Sequence, residues 1–443
     1  MRQMMRRTSP LKKPLEHSLK KLNPRDWITM TLSPTRAAPS ESESAALQRR
    51  LTLPLLVLYG LGVTVGAGIY VLIGVTVSEA GIYAPISFLL AAGVVAFTGF
   101  TYAELSTRFP VSAGEAAYVK NGLNSNRLSL GVGLMVSASG IVSASAISVG
   151  AAAYLGGLIN LSPILLTAMI VITLAIIAGW GILESVAIAA VLTLVEIAGL
   201  LLVLVFGFLL KPDLLEEMSR LIPPFEIDAW TGIASAGLLA FFAFVGFEDL
   251  ANVAEEAKDP GRNMPKAIIL TLVIATLIYL AVVSVVVLAV PIDQLAQSAS
   301  PLTLVFSESH PSMRAVFSLV AAIATLNGAL VQIIMASRVI YGLAAQGRLD
   351  KRLATISPRT HTPLVATSLV AGIVLLFAVF FPIASLAQWT SQLALVVFGC
   401  VNLSLIMLKR RPKPDKALVY TVPNWIPIVG LISCAALFLS GFL

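Results

Sequence analysis

The stretch at residues 238–265, LLAFFAFVGFEDLANVAEEAKDPGRNMP, decides how this chain is built. It opens as an apolar run of membrane character and then places Gly246, Glu248 and Asp249 in its middle. A carboxylate at the centre of a bilayer costs about 3 kcal/mol or more, so it faces protein or water rather than lipid. Glycine weakens a helix interior and lets the backbone leave it. Irregular backbone at membrane depth is tolerated only where it lines a cavity or is buried in protein. The reading is a sixth transmembrane helix that unwinds from Ala243 to Phe247. The alternative is an intact helix in which Glu248 is hydrogen-bonded to a neighbour.

Composition agrees with a membrane setting. Of 443 residues, 57% are hydrophobic and only 12% are charged, against about 25% charged in soluble domains. The net charge of +7 does not point to nucleic acid, because the Lys and Arg residues sit in loops and in the N-terminal tail. The two cysteines, Cys400 and Cys434, lie in apolar runs and suit neither a disulfide framework nor a metal site. Residues 1–50 are polar, basic and rich in Ser and Pro, with no apolar core of about 7–15 residues of the kind a signal peptide needs. They read as a disordered cytoplasmic tail.

Apolar runs of spanning length follow near 53–77, 84–107, 128–157, 163–180, 185–210, 230–254, 267–290, 315–342, 364–381, 385–408 and 425–442. With eleven crossings, the short loops on one side hold sixteen Lys and Arg residues and those on the other hold three, Lys211, Arg220 and Arg314. This asymmetry places the N-terminus in the cytoplasm.

The first run contains GLGVTVGAGIYVLIG, residues 60–74, with Gly66 and Gly68 near mid-span. Small residues of this kind often serve helix packing alone. The pairing with the sixth run changes the reading. The two are five helices apart in the order, and an odd offset reverses their direction across the membrane. Interrupted segments at corresponding places in two inverted halves point to a transporter's binding site.

These residues resemble the amino acid–polyamine–organocation permeases. VTVGAGIYVLIG is similar to that family's first-helix motif and YAELSTRFPVSAGEAAYV, 102–119, to its second-helix and loop signature. FFAFVGFEDLANVAEEAKDPGRNMPKAI, 241–268, resembles its sixth-helix motif, and ATLNGALVQIIMASRVIYGLAAQGRLDK, 324–351, its eighth helix and following loop. The resemblance covers about 51–443. It implies an all-α polytopic protein of two inverted five-helix repeats with helices 1 and 6 broken (LeuT-like), with about eleven transmembrane helices. The expected organisation is a tail at 1–50, a ten-helix transporter core at 51–408, and a loop with one additional helix at 409–443. The expected location is a bacterial inner (plasma) membrane.

The sequence departs from the pattern in places. The usual Gly-Gly-x-Tyr reads Ala113-Gly114-Glu115-Ala116, with the aromatic displaced to Tyr118. Many relatives have twelve helices. Some proton-coupled relatives carry a Lys in the fifth helix, whereas residues 163–210 hold none, and Glu196 is the ionisable group deep in that span.

The expected substrate is an amino acid. An unwound first helix would offer backbone N–H groups around Gly66, Ala67 and Gly68 to its carboxylate, and the resemblance points to the same positions. The resemblance also places the carbonyls that accept the ammonium group at Thr64, Phe242 and Val245, makes the ring of Phe242 a lid, and brings Val65 and Ala243 into the same lining. Burial disfavours a charged carboxylate, so Glu248 is the candidate for a coupling proton and Glu196 the alternative. Asn327 either hydrogen-bonds between helices or helps form a sodium site. Glu104 and Arg108, four apart on the second helix, read as a structural ion pair. The loop residues Glu255, Glu256, Lys258, Asp259 and Arg262 read as solvated or ion-paired, near the inner gate.

Other classes fit poorly. No His-Glu-x-x-His pair or GxxxxGK[ST] loop occurs, so neither an intramembrane metalloprotease nor an ATP-driven pump is supported. No cofactor or metal is expected. Secondary active transport by proton symport or exchange is the leading reading. A polyamine or cationic amino acid antiporter and a non-transporting amino acid sensor are the alternatives.

Overall fold

In a computed structural model, residues 49–111, 114–180, 186–306, 311–411 and 420–442 are described. The expected tail at 1–50 and the basic residues Lys413 and Lys416 lie almost wholly or wholly outside them. Among the described residues the chain is helical, with one isolated β-bridge between Leu51 and Ala257.

A helix stands at each of the eleven apolar runs. In chain order they are α1 (Leu53–Ala80), α2 (Ala84–Arg108), a short α3 (Gly114–Leu123), α4 (Asn126–Gly156), α5 (Pro163–Trp180) and α6 (Val186–Leu210). Then come α7 (Ile227–Phe241), a short α8 (Asp249–Asn252), α9 (Pro260–Ala289), a short α10 (Ile292–Gln297), α11 (Pro311–Ala345), α12 (Leu364–Phe380), α13 (Ile383–Lys409) and α14 (Trp425–Ser440). Eight segments are long and apolar enough to cross a membrane, the first of them, Leu53–Arg108, joining α1 to α2; Leu364–Phe380 and Trp425–Ser440 are shorter apolar helices.

Local chemistry sets the ends. Proline occupies the first turn of α1, α2 and α9, where its missing N–H costs nothing. The chain leaves α1 through Gly81 at φ 56°, a left-handed conformation that glycine adopts freely. Ser125 caps α4 by accepting from the Leu128 N–H.

One expectation is corrected here. The first helix is not broken: α1 runs without interruption from Leu53 to Ala80 through Gly66 and Gly68. Its glycines serve close approach instead. A Cβ on Gly68 would lie 2.2 Å from the Ala243 Cα, and one on Gly66 would lie 3.1 Å from a Glu196 carboxylate oxygen. With no proline or charge between residues 55 and 78, an intact helix satisfies its own backbone groups at membrane depth.

Packing puts α1 at the centre, against α6, α7, α9 and α11. The largest pairings include α4 with α11 and α2 with α9. Outside lie α5 and α12, packed on each other, with Ile164, Met169, Ile172, Ile176, Leu369 and Phe380 exposed. Large apolar side chains exposed in such numbers suit a lipid-facing surface.

The expected pair of Glu104 and Arg108 forms, and it is larger than expected. The buried Glu104 carboxylate accepts from Arg108, from Lys409 Nζ at 2.8 Å and from the Val422 N–H at 2.8 Å. Lys409 also donates to the Val422 carbonyl at 2.6 Å. One carboxylate thus ties α2 to α13 and to the segment entering α14. Removing one member of a buried ionic group costs about 3–5 kcal/mol, because its partners stay buried and unpaired. Glu104→Ala is expected to lower the thermal unfolding midpoint in detergent by several degrees.

Candidate functional site

The sixth run is interrupted. α7 ends at Phe241, and Phe242–Phe244 forms one 3-10 turn. Val245 is extended at φ −64°, ψ 127°, and Gly246 takes φ 123°. Only after Glu248 does helix resume, as α8. The predicted window from Ala243 to Phe247 therefore falls close to the break, which centres on Val245–Glu248. Gly246 is required twice over. Its φ lies where L residues rarely go, and a Cβ there would sit 2.8 Å from the Val63 carbonyl oxygen of α1.

Glu248 stabilises the break locally. Its Oε2 accepts from the Gly246 N–H at 2.8 Å, a donor that an unbroken helix would have paired with a carbonyl. Asp249 accepts from Asn252 Nδ2 through Oδ1 at 3.3 Å, while its buried Oδ2 has no hydrogen-bond partner. Just beyond α8 the chain pairs with the start of α1. The Leu51 N–H donates to the Glu256 carbonyl at 3.0 Å and the Lys258 N–H to the Leu51 carbonyl at 2.9 Å.

Deeper in the bundle, the candidates from three helices meet. Glu196 of α6 is buried against Gly66 of α1 and accepts from Asn327 Nδ2 of α11 at 3.2 Å. Its Oε2 is buried without a hydrogen-bond partner. Asn327 thus makes the interhelical bond that was one of its two expected roles. Thr64, Val65, Phe242 and Ala243 are all buried here, with Val245 partly so; the Ala67 side chain lies outside the described residues.

Sequence reasoning missed Tyr279. Its hydroxyl, on α9, lies 2.7 Å from the Thr64 carbonyl and 2.7 Å from the Ala243 carbonyl. A hydroxyl has one proton, so it donates to one of these at a time and bridges the central helix to the break. Tyr70 and Tyr154 were missed as well. Tyr70 donates to the Glu196 carbonyl and Tyr154 to the Tyr70 carbonyl, each at 2.6 Å. The signal was a Tyr inside an apolar run, whose hydroxyl needs a partner once buried. Among the described residues no group of three or more His, Cys, Asp or Glu is placed to hold a metal ion.

A helix broken beside two acidic residues, packed on a glycine-rich central helix within a many-helix apolar bundle, defines a multi-pass membrane protein of transporter type. The sequence profile described as "Amino acid permease" matches residues 51–443, and the chain belongs to that family. It is 28% identical over 420 residues to the branched-chain amino acid permease BcaP of Bacillus subtilis (strain 168), covering 90% of this chain and 89% of that one. It is 29% identical over 422 residues to the vacuolar cationic amino acid transporter 2 of Arabidopsis thaliana, covering 89% of this chain and 65% of that longer protein. It is also 28% identical over 422 residues to the methylthioribose transporter of Bacillus subtilis (strain 168), with 90% and 89% covered.

Proposed function

We propose that the chain carries amino acids across the membrane by alternating access, with the interrupted sixth span as the moving part. The observation that carries this reading is the interruption over Phe242–Glu248, packed against α1 through Ala243 on Gly68 and Gly246 on Val63. Family membership and the names of the relatives support the substrate class. The close pairing of α1 with α7, α2 with α9 and α4 with α11 supports two repeats of five spans. Eleven crossings, with the N-terminus and the end bearing Leu51, Arg108 and Lys409 in the cytoplasm, follow from the loop charges; a bacterial inner membrane is the proposed setting.

The substrate site lies between α1 and the break. Thr64, Phe242 and Val245 offer carbonyls to the ammonium group; in this state Tyr279 bonds that of Thr64 and the Val245 N–H that of Phe242. Phe242 closes over the substrate. The amides of Gly66, Ala67 and Gly68 are spent within α1 in this state, so a carboxylate reaches them by opening that turn. In this reading the bonds between Leu51 and residues 256–258 hold the inner end closed.

Coupling is assigned to Glu248, because protonating its carboxylate weakens the charge-assisted bond from the Gly246 N–H that holds the break. An ion drives transport only if it binds the alternating states unequally. Glu196 is the alternative carrier, sodium near Asn327 the competing ion, and exchange without net ion movement a further mode. Neutral L-amino acids are the favoured substrates, since several Phe side chains surround the break. The acids Glu248 and Asp249 and the cationic-transporter relatives favour the second reading, basic amino acids or polyamines; a sensor is the non-transporting variant.

The test is uptake of labelled amino acids into proteoliposomes, competed by the twenty amino acids and by putrescine. Competition by neutral amino acids is expected. Competition by arginine, lysine or putrescine alone would establish the second reading, and no uptake of any label would overturn transport.

A further inference from the structure

Glu115 stands where the family motif departs from its usual form, on the short helix α3 outside the spans. It is 4% exposed. It accepts from the Tyr102 hydroxyl of α2 at 3.2 Å, and no ion pair involving it is found among the described residues. α3 rests on α8, the inner half of the broken span. A Cβ on Gly114 would lie 3.1 Å from Asn252 Oδ1 and 3.4 Å from the Ala251 Cβ. Across that contact Asp249, 5% exposed and with Oδ2 unpartnered, acts on Glu115 with a like charge. The Tyr118 hydroxyl beside Tyr102 is also buried without a partner.

We propose that Glu115 is a proton site of the inner gate: protonated, it lets α3 seat on α8, and deprotonated, its charge beside Asp249 drives the two apart. The inference goes beyond the transport reading, and its ligand is a proton taken from the cytoplasmic side. Glu248, by contrast, acts within the break itself.

The groups around Glu115 set the direction. Tyr102 approaches from α2, and Tyr118 lies on its own helix, where Lys120 is exposed. Glu248 and Asp249 come from the broken span. Just past α13, Arg411 donates to the Asn121 and Gly122 carbonyls at the far end of α3. From α4, Ser129 donates to the Ala116 carbonyl, and Arg127 is exposed. Burial raises the Glu115 carboxyl from 4.5 to about 7; its own backbone hydrogen bond opposes this, the Asp249 charge adds to it, and the Tyr102 hydroxyl opposes it. Once the gate opens, water returns and the ordinary value is restored. The closed gate therefore binds more protons than the open one between the two values. Its advantage is full at low pH, falls as pH rises through that window, and is gone above about 7.

The test reads opening of the gate rather than transport, so it can fail while the transport reading stands. Hydrogen exchange of the peptides spanning 114–123 and 246–257 is followed in the full chain in lipid nanodiscs, each rate divided by the intrinsic rate at that pH. In the wild type, opening rises about tenfold or more between pH 5 and pH 7.5 and levels off above. In Glu115→Gln the rate stays at the slow level throughout. If that variant misfolds, Tyr102→Phe serves, because losing a donor to the charged carboxylate moves the transition to higher pH. A wild-type pH profile retained in Glu115→Gln, or a transition unmoved or lowered in Tyr102→Phe, overturns the proposal.

Discussion

Gly68→Val is expected to abolish substrate binding while leaving a folded protein in the membrane. The first side-chain atom would meet the Ala243 Cα at 2.2 Å and the Ala243 nitrogen at 3.0 Å. These are backbone atoms of the 3-10 turn that leads into the break, and they cannot rotate aside. Overpacking of this kind costs about 1–3 kcal/mol, and it is relieved by pushing α1 away from the very segment that supplies the substrate's carbonyls. The Tyr279 bridge between Thr64 and Ala243 spans the same seam and would open with it. Binding measured by scintillation proximity with the label that the wild type takes up should fall about 100-fold or more, each tenfold being about 1.4 kcal/mol. Elution of a monodisperse peak in detergent shows that folding survives. Unchanged affinity in this variant would remove the site from the α1–α7 seam.

Gly246→Ala is expected to stop transport through the backbone itself. At φ 123° a non-glycine residue is strained, by about 1–3 kcal/mol. The added Cβ also meets the Val63 carbonyl oxygen at 2.8 Å and Val63 Cγ1 at 2.9 Å. Both effects oppose the broken geometry and favour a continuous helix, in which Glu248 no longer meets the Gly246 N–H. Uptake should fall about 100-fold, while protein yield drops little. Wild-type uptake by this variant would mean that the break is incidental to transport.

The break in the sixth span was legible because its cause is local. A glycine followed by two acids in an apolar run cannot be an ordinary span, and Gly246 carries the left-handed turn where that pattern places it. The glycines of the first span carry a weaker signal. Gly66 and Gly68 permit either unwinding or close approach, and the choice is made by Glu196 and Ala243, which the sequence places far away. The meeting of Gly66, Glu196 and Asn327 was invisible for the same reason: three helices bring together residues that share no spacing rule. Lys409 and Val422 joined the Glu104 pair through the packing of α13 and α14, so a pair legible at four-residue spacing became a larger node. Glu115 stood out only as a departure from a motif. Its burial, and hence its chemistry, depends on α3 resting on α8.

The break at Val245–Glu248 is proposed to couple an ion to amino acid movement. The measurement that bears on it most directly compares wild type with Glu248→Gln in proteoliposomes, with an inward proton gradient and no sodium. Glutamine keeps the carbonyl oxygen that accepts from the Gly246 N–H but cannot exchange a proton. The variant is expected still to exchange labelled substrate across the membrane, while the acceleration that the gradient gives the wild type disappears. Gradient-driven uptake that persists undiminished in Glu248→Gln would contradict the claim and make Glu196→Gln the next variant to measure.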